Sequence, residues 1–330
     1  MYKFFLQKND LNDATYYYLD IIKKSILKND EEVKVVSFLN ELCFSDKVIT
    51  ISAKAFFSVW LHNRKQYIVS WFQGIVPEEA MCLYSANPSR YFRYYLWNFF
   101  EKISLKYSKK IFFVSKAMLQ HYQLKYGYDK NNYFIMPCFN EQLNKNSFFV
   151  DKYKEPSFVY AGSLSKWQCI DDMMLLYSEI KKYLPNASLT LLTKESIKAK
   201  NILEEYNVDA EIMYVSKSSL NDVLARFKYG FIIRNDIPVN NVATPTKMSS
   251  YMAAGIIPIF SDVIGDFRKV FCDSFYAISF QKEKECIDKI LEIEAKEVDL
   301  KSIKMEFENV FNTYFSEKTY ISKIQFFLND

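Results

Sequence analysis

Short apolar runs alternate with longer helical patterns along almost the whole chain. Because most of the runs are nearly continuous apolar stretches, they are typical of strands buried on both faces of a parallel sheet. The regular alternation favours right-handed βαβ units, and therefore an α/β fold with doubly wound sheets. The predicted strands are Val33–Leu39, Val48–Ile51, Tyr67–Phe72, Ile111–Ser115, Tyr133–Met136, Phe158–Ala161, Ser188–Thr193, Ala210–Val215, Tyr229–Arg234 and Ile256–Phe260. Predicted helices include Asp13–Lys28, Ala53–Lys65, Ser89–Lys106, Asp171–Leu184, Leu220–Lys228, Thr244–Ala254, Ser302–Phe315 and Thr319–Leu328.

The alternation stops between Pro137 and Pro156, where the chain is polar and rich in Asn and Lys. A length of 330 residues predicts about two domains. We therefore expect one Rossmann-like domain over 1–145 and a second over 146–315. Two such domains facing each other would place the carboxyl ends of their strands, where open α/β sheets bind ligands, on a shared central cleft.

Composition narrows the function classes. Half of the residues are hydrophobic and only 6 are glycine, which excludes disordered and collagen-like chains. A net charge of +4 is compatible with a phosphate-bearing ligand or an anionic membrane, and is weak support for nucleic acid. Two histidines and six scattered cysteines argue against a metal site. With neither a signal-peptide pattern nor a stretch of about 20 apolar residues, we expect a cytoplasmic protein, either soluble or bound at the inner face of the membrane.

The most informative segment runs from Asn240 to Ile259. Thr244 is a good N-cap, Pro245 suits the first helical turn and Gly255 would end the helix. Free N–H groups at that helix start, with Thr246 and Lys247 beside them, predict an anion site. Arg234, at the end of the preceding predicted strand, adds a second cation that suits a diphosphate. The alternative is an ordinary capped crossover helix, which the local signal alone favours.

In a second segment, Phe158–Gln168, a predicted strand is followed by a loop of small residues rich in hydroxyl groups. Gly162 allows a ligand to approach the backbone closely, and Lys166 can reach a phosphate. The loop lacks both a GxGxxG and a P-loop pattern, so by itself it is weak evidence.

Together these segments resemble the nucleotide-sugar-binding half of GT-B glycosyltransferases. The similarity is greatest to the family-four retaining enzymes of capsule, O-antigen and other surface polysaccharides. Trp71–Glu79 and Val114–Tyr122 also resemble segments of those enzymes, so the likeness covers most of 67–270. It implies a donor held by the second domain, an acceptor held by the first, and transfer with retention of configuration. It also implies that a C-terminal helix, 316–330, joins the first domain.

The resemblance carries over to individual positions. The enzyme would use a nucleotide-sugar as its donor substrate, with no cofactor and no metal. Its other partner would be a glycan or lipid-linked acceptor, and nucleic acid is not expected. The donor diphosphate and sugar would contact Gly162, Ser163, Lys166, Arg234, Asn240, Thr246, Lys247 and Ser250. The acceptor would contact Asn12, Asp13, Gly74 and Glu79, and the residues assigned to catalysis are Gln73, Glu78 and Asn241.

Three departures from the family pattern stand out. Two glutamates that family members carry around the donor helix correspond here to Val242 and Ser250. Asn240, Asn241 or Asp236 are the candidates to replace the lost sugar contact. Residues 9–15 stand in place of the usual glycine-rich turn, and Gln73 with Gly74 stand where many members have a histidine.

Other residues have competing interpretations. Glu78 and Glu79 could orient acceptor hydroxyls, or simply favour the first turn of a helix. His62 and His121 are interpreted as structural. The basic, aromatic segment 89–110 could lie at a membrane interface, although such a helix more often covers a sheet. Two alternatives to an active transferase remain: a non-catalytic GT-B subunit that binds a partner transferase or a glycan, and a sugar-nucleotide epimerase.

Overall fold

The computed structural model describes residues 1–7, 10, 13–29, 31–84 and 86–329. The chain divides into two compact units. The first comprises Met1–Cys138, Asn241–Thr244 and Ser316–Asp330, and the second comprises Phe139–Asn240 and Pro245–Phe315.

The first unit is built on a six-stranded parallel sheet with the order β2-β1-β3-β4-β5-β6. Its strands are β1 (Tyr2–Phe5), β2 (Val33–Val36), β3 (Lys47–Thr50), β4 (Tyr67–Phe72), β5 (Lys110–Phe113) and β6 (Tyr133–Ile135). Its helices are α1 (Asp13–Leu27), α2 (Ala53–His62), α3 (Val76–Leu83), α4 (Ser89–Tyr107) and α5 (Lys116–Tyr126), with a 3-10 turn at Leu39–Glu41.

The second unit holds another six-stranded parallel sheet, with the order β12-β11-β10-β7-β8-β9. Its strands are β7 (Ser157–Ala161), β8 (Ser188–Leu192), β9 (Glu211–Met213), β10 (Tyr229–Ile232), β11 (Ile257–Ser261) and β12 (Ile278–Phe280). The helices that follow α5 in this unit are α6 (Ile170–Tyr183), α7 (Ser196–Glu205), α8 (Lys217–Leu224), α9 (Pro238–Asn241, whose last residue belongs to the first unit), α10 (Lys247–Ala253), α11 (Gly265–Val270), α12 (Glu283–Glu294) and α13 (Leu300–Thr313). The last helix, α14 (Glu317–Asn329), belongs to the first unit. Short 3-10 turns occur at Lys145–Ser147, Val150–Tyr153 and Lys166–Gln168.

Buried apolar strands form the centre of each unit. Val48, Ile49 and Val69 of the first sheet and Phe231 and Ile259 of the second have no exposed surface. Helices pack over these residues and remove both faces of the sheet from water, which is the main favourable contribution to folding. The α/β class predicted from the alternation of runs is confirmed.

All ten predicted strands are present, with ends displaced by up to three residues. Two further strands, β1 and β12, were not predicted. In β1, Lys3 interrupts the apolar run, but its amine pairs with Asp46 at 2.8 Å, so that a lysine only 8% exposed is tolerated.

The prediction that Thr244 caps the helix over 244–254 is wrong. That helix, α10, begins at Lys247, and Thr246 occupies its N-cap position without a side-chain cap. The Thr244 hydroxyl instead accepts a hydrogen bond from the Cys138 amide at 3.0 Å within the first unit. A tertiary bond therefore takes the side chain that a local cap would have used.

Candidate functional site

The strand order of the second unit locates its ligand edge. The chain moves outward from β7 to β8 and β9 on one side, and from β10 to β11 and β12 on the other. The connections therefore reverse direction between β7 and β10. In open parallel sheets, ligands bind outside the carboxyl ends of the strands at such a point. Gly162 follows β7 directly, and Arg234 lies two residues beyond β10.

Gly162 is required by both its backbone and its neighbour. Its φ of +141° lies in a region that residues with a side chain rarely adopt. A Cβ at this position would lie 2.9 Å from Cε of Lys247. A larger residue would therefore strain the backbone here and displace the Lys247 side chain, which lies over the end of β7.

The Lys247 amine is held by neutral groups. It donates to the Tyr160 hydroxyl at 3.1 Å and to Oε1 of Gln168 at 2.5 Å. It also lies 4.2 Å from the centroid of the Tyr160 ring, a cation–π distance. Desolvation lowers the pKa of Lys247 well below its ordinary value, and the nearby Arg234 charge lowers it further.

Arg234 is the second cation of this edge. Its side chain is 7% exposed, and its Nη1 donates to the Ile233 carbonyl at 2.8 Å. Desolvation lowers its pKa, although a guanidinium stays charged. Within the described residues, neither Arg234 nor Lys247 forms an ion pair with a carboxylate. Two adjacent desolvated cations without an anionic partner make this edge suited to bind an anion.

The first unit has a different pocket at the carboxyl ends of β3 and β4. Its volume is about 400 Å³. The lining residues are Ile51, Ser52, Ala53, Trp71, Phe72, Gln73, Gly74, Val76, Glu79 and Glu101. Two of these are acids and none is a cation, so the pocket is suited to groups that donate hydrogen bonds, such as the hydroxyls of a sugar.

Glu79 lies over the backbone of Gly74. A Cβ at Gly74 would lie only 2.0 Å from Oε1 of Glu79, so a larger residue would displace the carboxylate. Desolvation raises the pKa of Glu79, and the neighbouring charge of Glu78 raises it further. Gln73 is fixed beside it, because its side-chain amide donates to the Ile51 carbonyl at 3.0 Å.

Glu101 holds the turn that carries these groups. Its carboxylate is fully buried and accepts hydrogen bonds from the Val76 amide at 3.1 Å and from the hydroxyls of Tyr122 at 3.1 Å and Tyr126 at 2.9 Å. Lys125 lies 3.6 Å from it. Desolvation outweighs these favourable partners and raises the pKa of Glu101 to about 7.

Comparison with solved protein structures identifies the fold of this chain, whereas comparison of sequences does not. No protein-family model and no curated protein matches the chain in sequence. HepE of Anabaena, solved in complex with UDP, superposes with a TM-score of 0.73 at 10% identity, covering 99% of both chains. The pneumococcal O-GlcNAc transferase GtfA, in complex with UDP and GlcNAc, superposes with a TM-score of 0.63 at 12% identity, covering 93% of this chain. TarM of S. aureus, in complex with UDP, gives 0.60 at 14% identity and 86% coverage.

The chain has the GT-B glycosyltransferase fold. The resemblance seen in the sequence motifs is thereby confirmed at the level of the fold. The chain spans 60% of the GtfA chain and 55% of the TarM chain, and essentially the whole of HepE.

The second unit of this GT-B chain brings together only some of the predicted donor residues. Gly162, Arg234 and Lys247 lie together beyond the carboxyl ends of β7 and β10. Ser163 is linked to them through Tyr160, whose hydroxyl donates to the Ser163 carbonyl at 2.5 Å. Lys166 lies in the following 3-10 turn with an exposed side chain.

Three predicted donor residues make contacts elsewhere within the second unit. The buried Asn240 donates from its side-chain amide to the Asn235 carbonyl at 3.0 Å. The Ser250 hydroxyl donates to Oδ1 of Asn140 at 2.9 Å, and Thr246 accepts the Ser250 amide through its carbonyl at 3.0 Å.

The predicted residues of the first unit also separate. Gln73, Gly74 and Glu79 line one pocket, whereas Glu78 pairs with Lys125 at 2.7 Å and lies 3.4 Å from Nε2 of His121. Desolvation raises the pKa of Glu78, but the bonds to His121 and Lys125 outweigh it and lower the pKa overall. These contacts tie α3 to α5.

The remaining predicted residues lie outside this pocket. Asn241 ends α9 and belongs to the first unit. Asp13 begins α1, and Asn12 lies outside the described residues.

Sequence reasoning missed the neutral groups around Lys247. Tyr251 packs on Gly230, where a Cβ would lie 2.6 Å from its ring, and its hydroxyl accepts from the Ala161 amide at 3.0 Å. Tyr160 and Gln168 are ordinary residues of a strand and a loop, and no local pattern marks them. Glu101 was missed because its position within α4 reads as one more polar residue of a helix.

No described helix is both long and apolar enough to cross a membrane. No group of three or more His, Cys, Asp or Glu within the described part of the chain is arranged to hold a metal ion.

Proposed function

We propose that this protein is a glycosyltransferase that moves a sugar from a nucleotide-sugar donor to a glycan or lipid-linked oligosaccharide acceptor in surface-polysaccharide synthesis. The observation that carries the proposal is the pair Arg234 and Lys247, desolvated and without a carboxylate, at the switch point of the second sheet. A nucleoside diphosphate supplies the anion that this edge lacks. The solved GT-B structures that contain UDP make UDP-sugars the first donors to test.

The two cations would act on the leaving group. In glycosyl transfer, the bond between the anomeric carbon and the β-phosphate oxygen breaks, the acceptor oxygen forms a bond to that carbon, and the proton of the acceptor hydroxyl passes to the departing diphosphate. Negative charge then grows on the departing diphosphate. Arg234 and Lys247 are already oriented and desolvated, so they would stabilise that charge without reorganising during the reaction. Retention of configuration remains part of the proposal through the resemblance to the family-four enzymes.

The acidic pocket of the first unit would receive the acceptor. Glu79 and Gln73 offer hydrogen-bond acceptors and a donor at the ends of β3 and β4, within a volume that fits one sugar residue. Glu101 would act through the turn 74–76, because its carboxylate binds the Val76 amide. We assign it a positioning role.

Nucleotide binding tests the proposal directly. Melting temperatures of the purified chain would be measured with UDP, GDP, ADP and CMP, and with their common sugar conjugates. A ligand that binds only the folded state raises the melting temperature, so one nucleotide should stand out. Titration calorimetry of that nucleotide should show weaker binding to Lys247→Met and unchanged binding to Lys200→Met, which alters an exposed lysine of α7. Equal binding by both variants would contradict the site.

A non-catalytic subunit is the second candidate. Val242 and Ser250 occupy the positions of the family's two glutamates, and a GtfA/B complex is among the matching structures, with a TM-score of 0.61. A subunit of this kind would bind nucleotide or glycan without turnover. Release of nucleoside diphosphate by the purified chain in the presence of donor and acceptor would exclude it.

We propose in addition that segment 89–110 brings the protein to the inner face of the membrane, where a lipid-linked acceptor would be found. Along α4, Phe92 is 71% exposed, Tyr95 70% and Phe99 52%. Rings of this kind favour the headgroup region of a bilayer. Co-sedimentation with phospholipid vesicles should therefore decrease in Phe92→Ser/Phe99→Ser, while nucleotide binding in solution stays unchanged.

A further inference from the structure

A shallow pocket lies at the amino ends of the strands of the first sheet, whereas the acceptor pocket lies at their carboxyl ends. Its volume is about 470 Å³, and its lining residues are Lys106, Tyr107, Ser108, Lys109, Lys130, Asn131 and Asn132. These residues end α4 or immediately precede β5 and β6, which places the pocket at the amino ends of those strands. It is therefore separate from both sites described above.

The pocket lining is basic without a compensating acid. Three of its residues are lysines and none is Asp or Glu. Asp129 is next to Lys130 in the chain but is not part of the lining. Among the described residues, Lys106 and Lys109 form no ion pair, and both side chains are exposed.

At the carboxyl end of α4, side chains donate hydrogen bonds to the backbone carbonyls that would otherwise repel an anion. The last carbonyls of a helix are orphan acceptors and repel negative charge. Here Lys130 donates to the carbonyls of Leu105 and Lys106, and the Asn132 amide donates to those of Ser108 at 2.9 Å and Lys109 at 3.0 Å. With these carbonyls covered, the pocket carries the positive charge of its three lysines, of which Lys106 and Lys109 form no ion pair among the described residues.

An exposed stripe on α4 leads to this pocket. Phe92, Tyr95, Phe99, Lys102 and Lys106 follow the 3-4-3-4 spacing of one helix face, and all five are exposed. The stripe changes from aromatic to basic as it approaches the pocket. Segment 89–110 contains six Lys or Arg residues and a single acid, Glu101, which is fully buried on the other side of the helix. The exposed face therefore presents rings and cations alone.

We propose that this lysine pocket binds the phosphate of an anionic phospholipid headgroup while the aromatic part of the stripe lies in the bilayer interface. The inference rests on the proposed membrane contact of α4 and adds a defined headgroup site. The rings would enter the headgroup layer, and Lys106 and Lys109, which form no ion pair among the described residues, would then face lipid phosphates. Anionic lipid is the occupant chosen because the pocket and the adjoining face are complementary to it in charge.

The test compares variants of the full chain on two kinds of vesicle. Binding is measured by co-sedimentation with phosphatidylcholine vesicles that contain or lack phosphatidylglycerol. Lys106→Gln/Lys109→Gln removes two of the three positive charges of the pocket and should lower partitioning onto the anionic vesicles by about thirty-fold. The matched control, Lys200→Gln/Lys284→Gln, changes two exposed lysines of the second unit and should change partitioning little. Thermal unfolding of each variant checks that the fold is kept.

Each other outcome has a definite meaning. If Phe92→Ser/Phe99→Ser loses vesicle binding and Lys106→Gln/Lys109→Gln keeps it, the membrane contact stands and the headgroup pocket is overturned. Equal losses in the pocket variant and its control would also overturn the pocket, in favour of general charge attraction. Titration with inorganic phosphate separates the two phosphate sources. Phosphate binding that Lys106→Gln/Lys109→Gln abolishes, with vesicle binding unaffected, would mean a site for a free anion and would overturn the lipid proposal.

Discussion

The two units have similar parallel sheets, but they place opposite charges beyond the carboxyl ends of their central strands. Each has six parallel strands, and each has a glycine just beyond the carboxyl end of a central strand, Gly162 after β7 and Gly74 two residues after β4. A charged side chain crosses each glycine. It is the cation Lys247 in the second unit and the anion Glu79 in the first. In the proposed function, the charge of this side chain determines which ligand binds beyond the carboxyl ends of the strands.

The contrast extends to the partners of these charged groups. Around Lys247 the partners are neutral, and the second cation, Arg234, raises the local positive charge. Around Glu79 the next buried acid, Glu101, is surrounded by hydrogen-bond donors that tie it to the turn. An incoming diphosphate would relieve the repulsion in the first case, whereas sugar hydroxyls would satisfy free acceptors in the second.

The largest effect is expected from removing both cations of the second unit. Arg234→Gln/Lys247→Met should weaken binding of the nucleoside diphosphate by about a thousand-fold, since each charge-assisted bond contributes about 2 kcal/mol. Calorimetry would measure this. The exposed pair Arg226→Gln/Lys200→Met is the matched control.

The single substitution Lys247→Met tests whether the charge of Lys247 serves ligand binding or the stability of the fold. A desolvated ammonium without a carboxylate opposes folding, so Lys247→Met should leave the free energy of unfolding unchanged or increase it. A large loss of stability in urea unfolding would show that Lys247 mainly supports the fold.

A somewhat smaller effect is expected from Glu101. Its pKa is about 7 in the folded protein against 4.5 for the free side chain, so the folded state binds its proton more tightly between these values. The stability that this group contributes is therefore complete below pH 4.5 and falls by about 3 kcal/mol as pH rises from 4.5 to 7. Urea unfolding at pH 5 to 8 should show a flatter profile for Glu101→Gln than for the wild type. The exposed control Glu204→Gln should keep the wild-type slope, and identical slopes in all three proteins would contradict the assignment.

Glu79→Gln should affect the acceptor alone. Loss of the charge weakens hydrogen bonds from acceptor hydroxyls, and we expect KM for the acceptor to rise by roughly ten-fold. Donor affinity should not change, because Gly162, Arg234 and Lys247 belong to the other unit. Steady-state kinetics with each substrate varied in turn would distinguish the two, and a parallel change in donor affinity would contradict the division of labour.

An effect of similar size to that of Glu79→Gln is expected at Gly162. Gly162→Ala forces an unfavourable backbone conformation and displaces Lys247, and should cost about 1–2 kcal/mol of stability together with a measurable loss of nucleotide binding. Gly127→Ala is the matched control, because its φ of +65° is also positive but a Cβ there meets nothing within 4 Å. It should lose stability without losing nucleotide affinity. Full nucleotide affinity in Gly162→Ala would mean that Lys247 does not need this path.

Local patterns were enough for the strands and for some charged groups. Continuous runs such as Tyr67–Phe72 predicted their strands because burial on both faces leaves little choice of residue. Gly162, Arg234 and Lys247 were singled out because each stands next to the end of a predicted strand or the start of a predicted helix. Thr244 followed the same reasoning and was wrong, since its hydroxyl meets the Cys138 amide instead.

The sequence by itself determined the α/β class, because the period of apolar residues specifies strands and helices and their alternation specifies parallel sheets. It also determined which charged groups lie near strand ends. Only the tertiary structure decided which of them meet. Glu78 forms an ion pair with Lys125, whereas its neighbour Glu79 lines the pocket. Ser250 donates a hydrogen bond to Asn140. Such choices depend on desolvation and on partners distant in the chain, and a one-dimensional pattern holds neither.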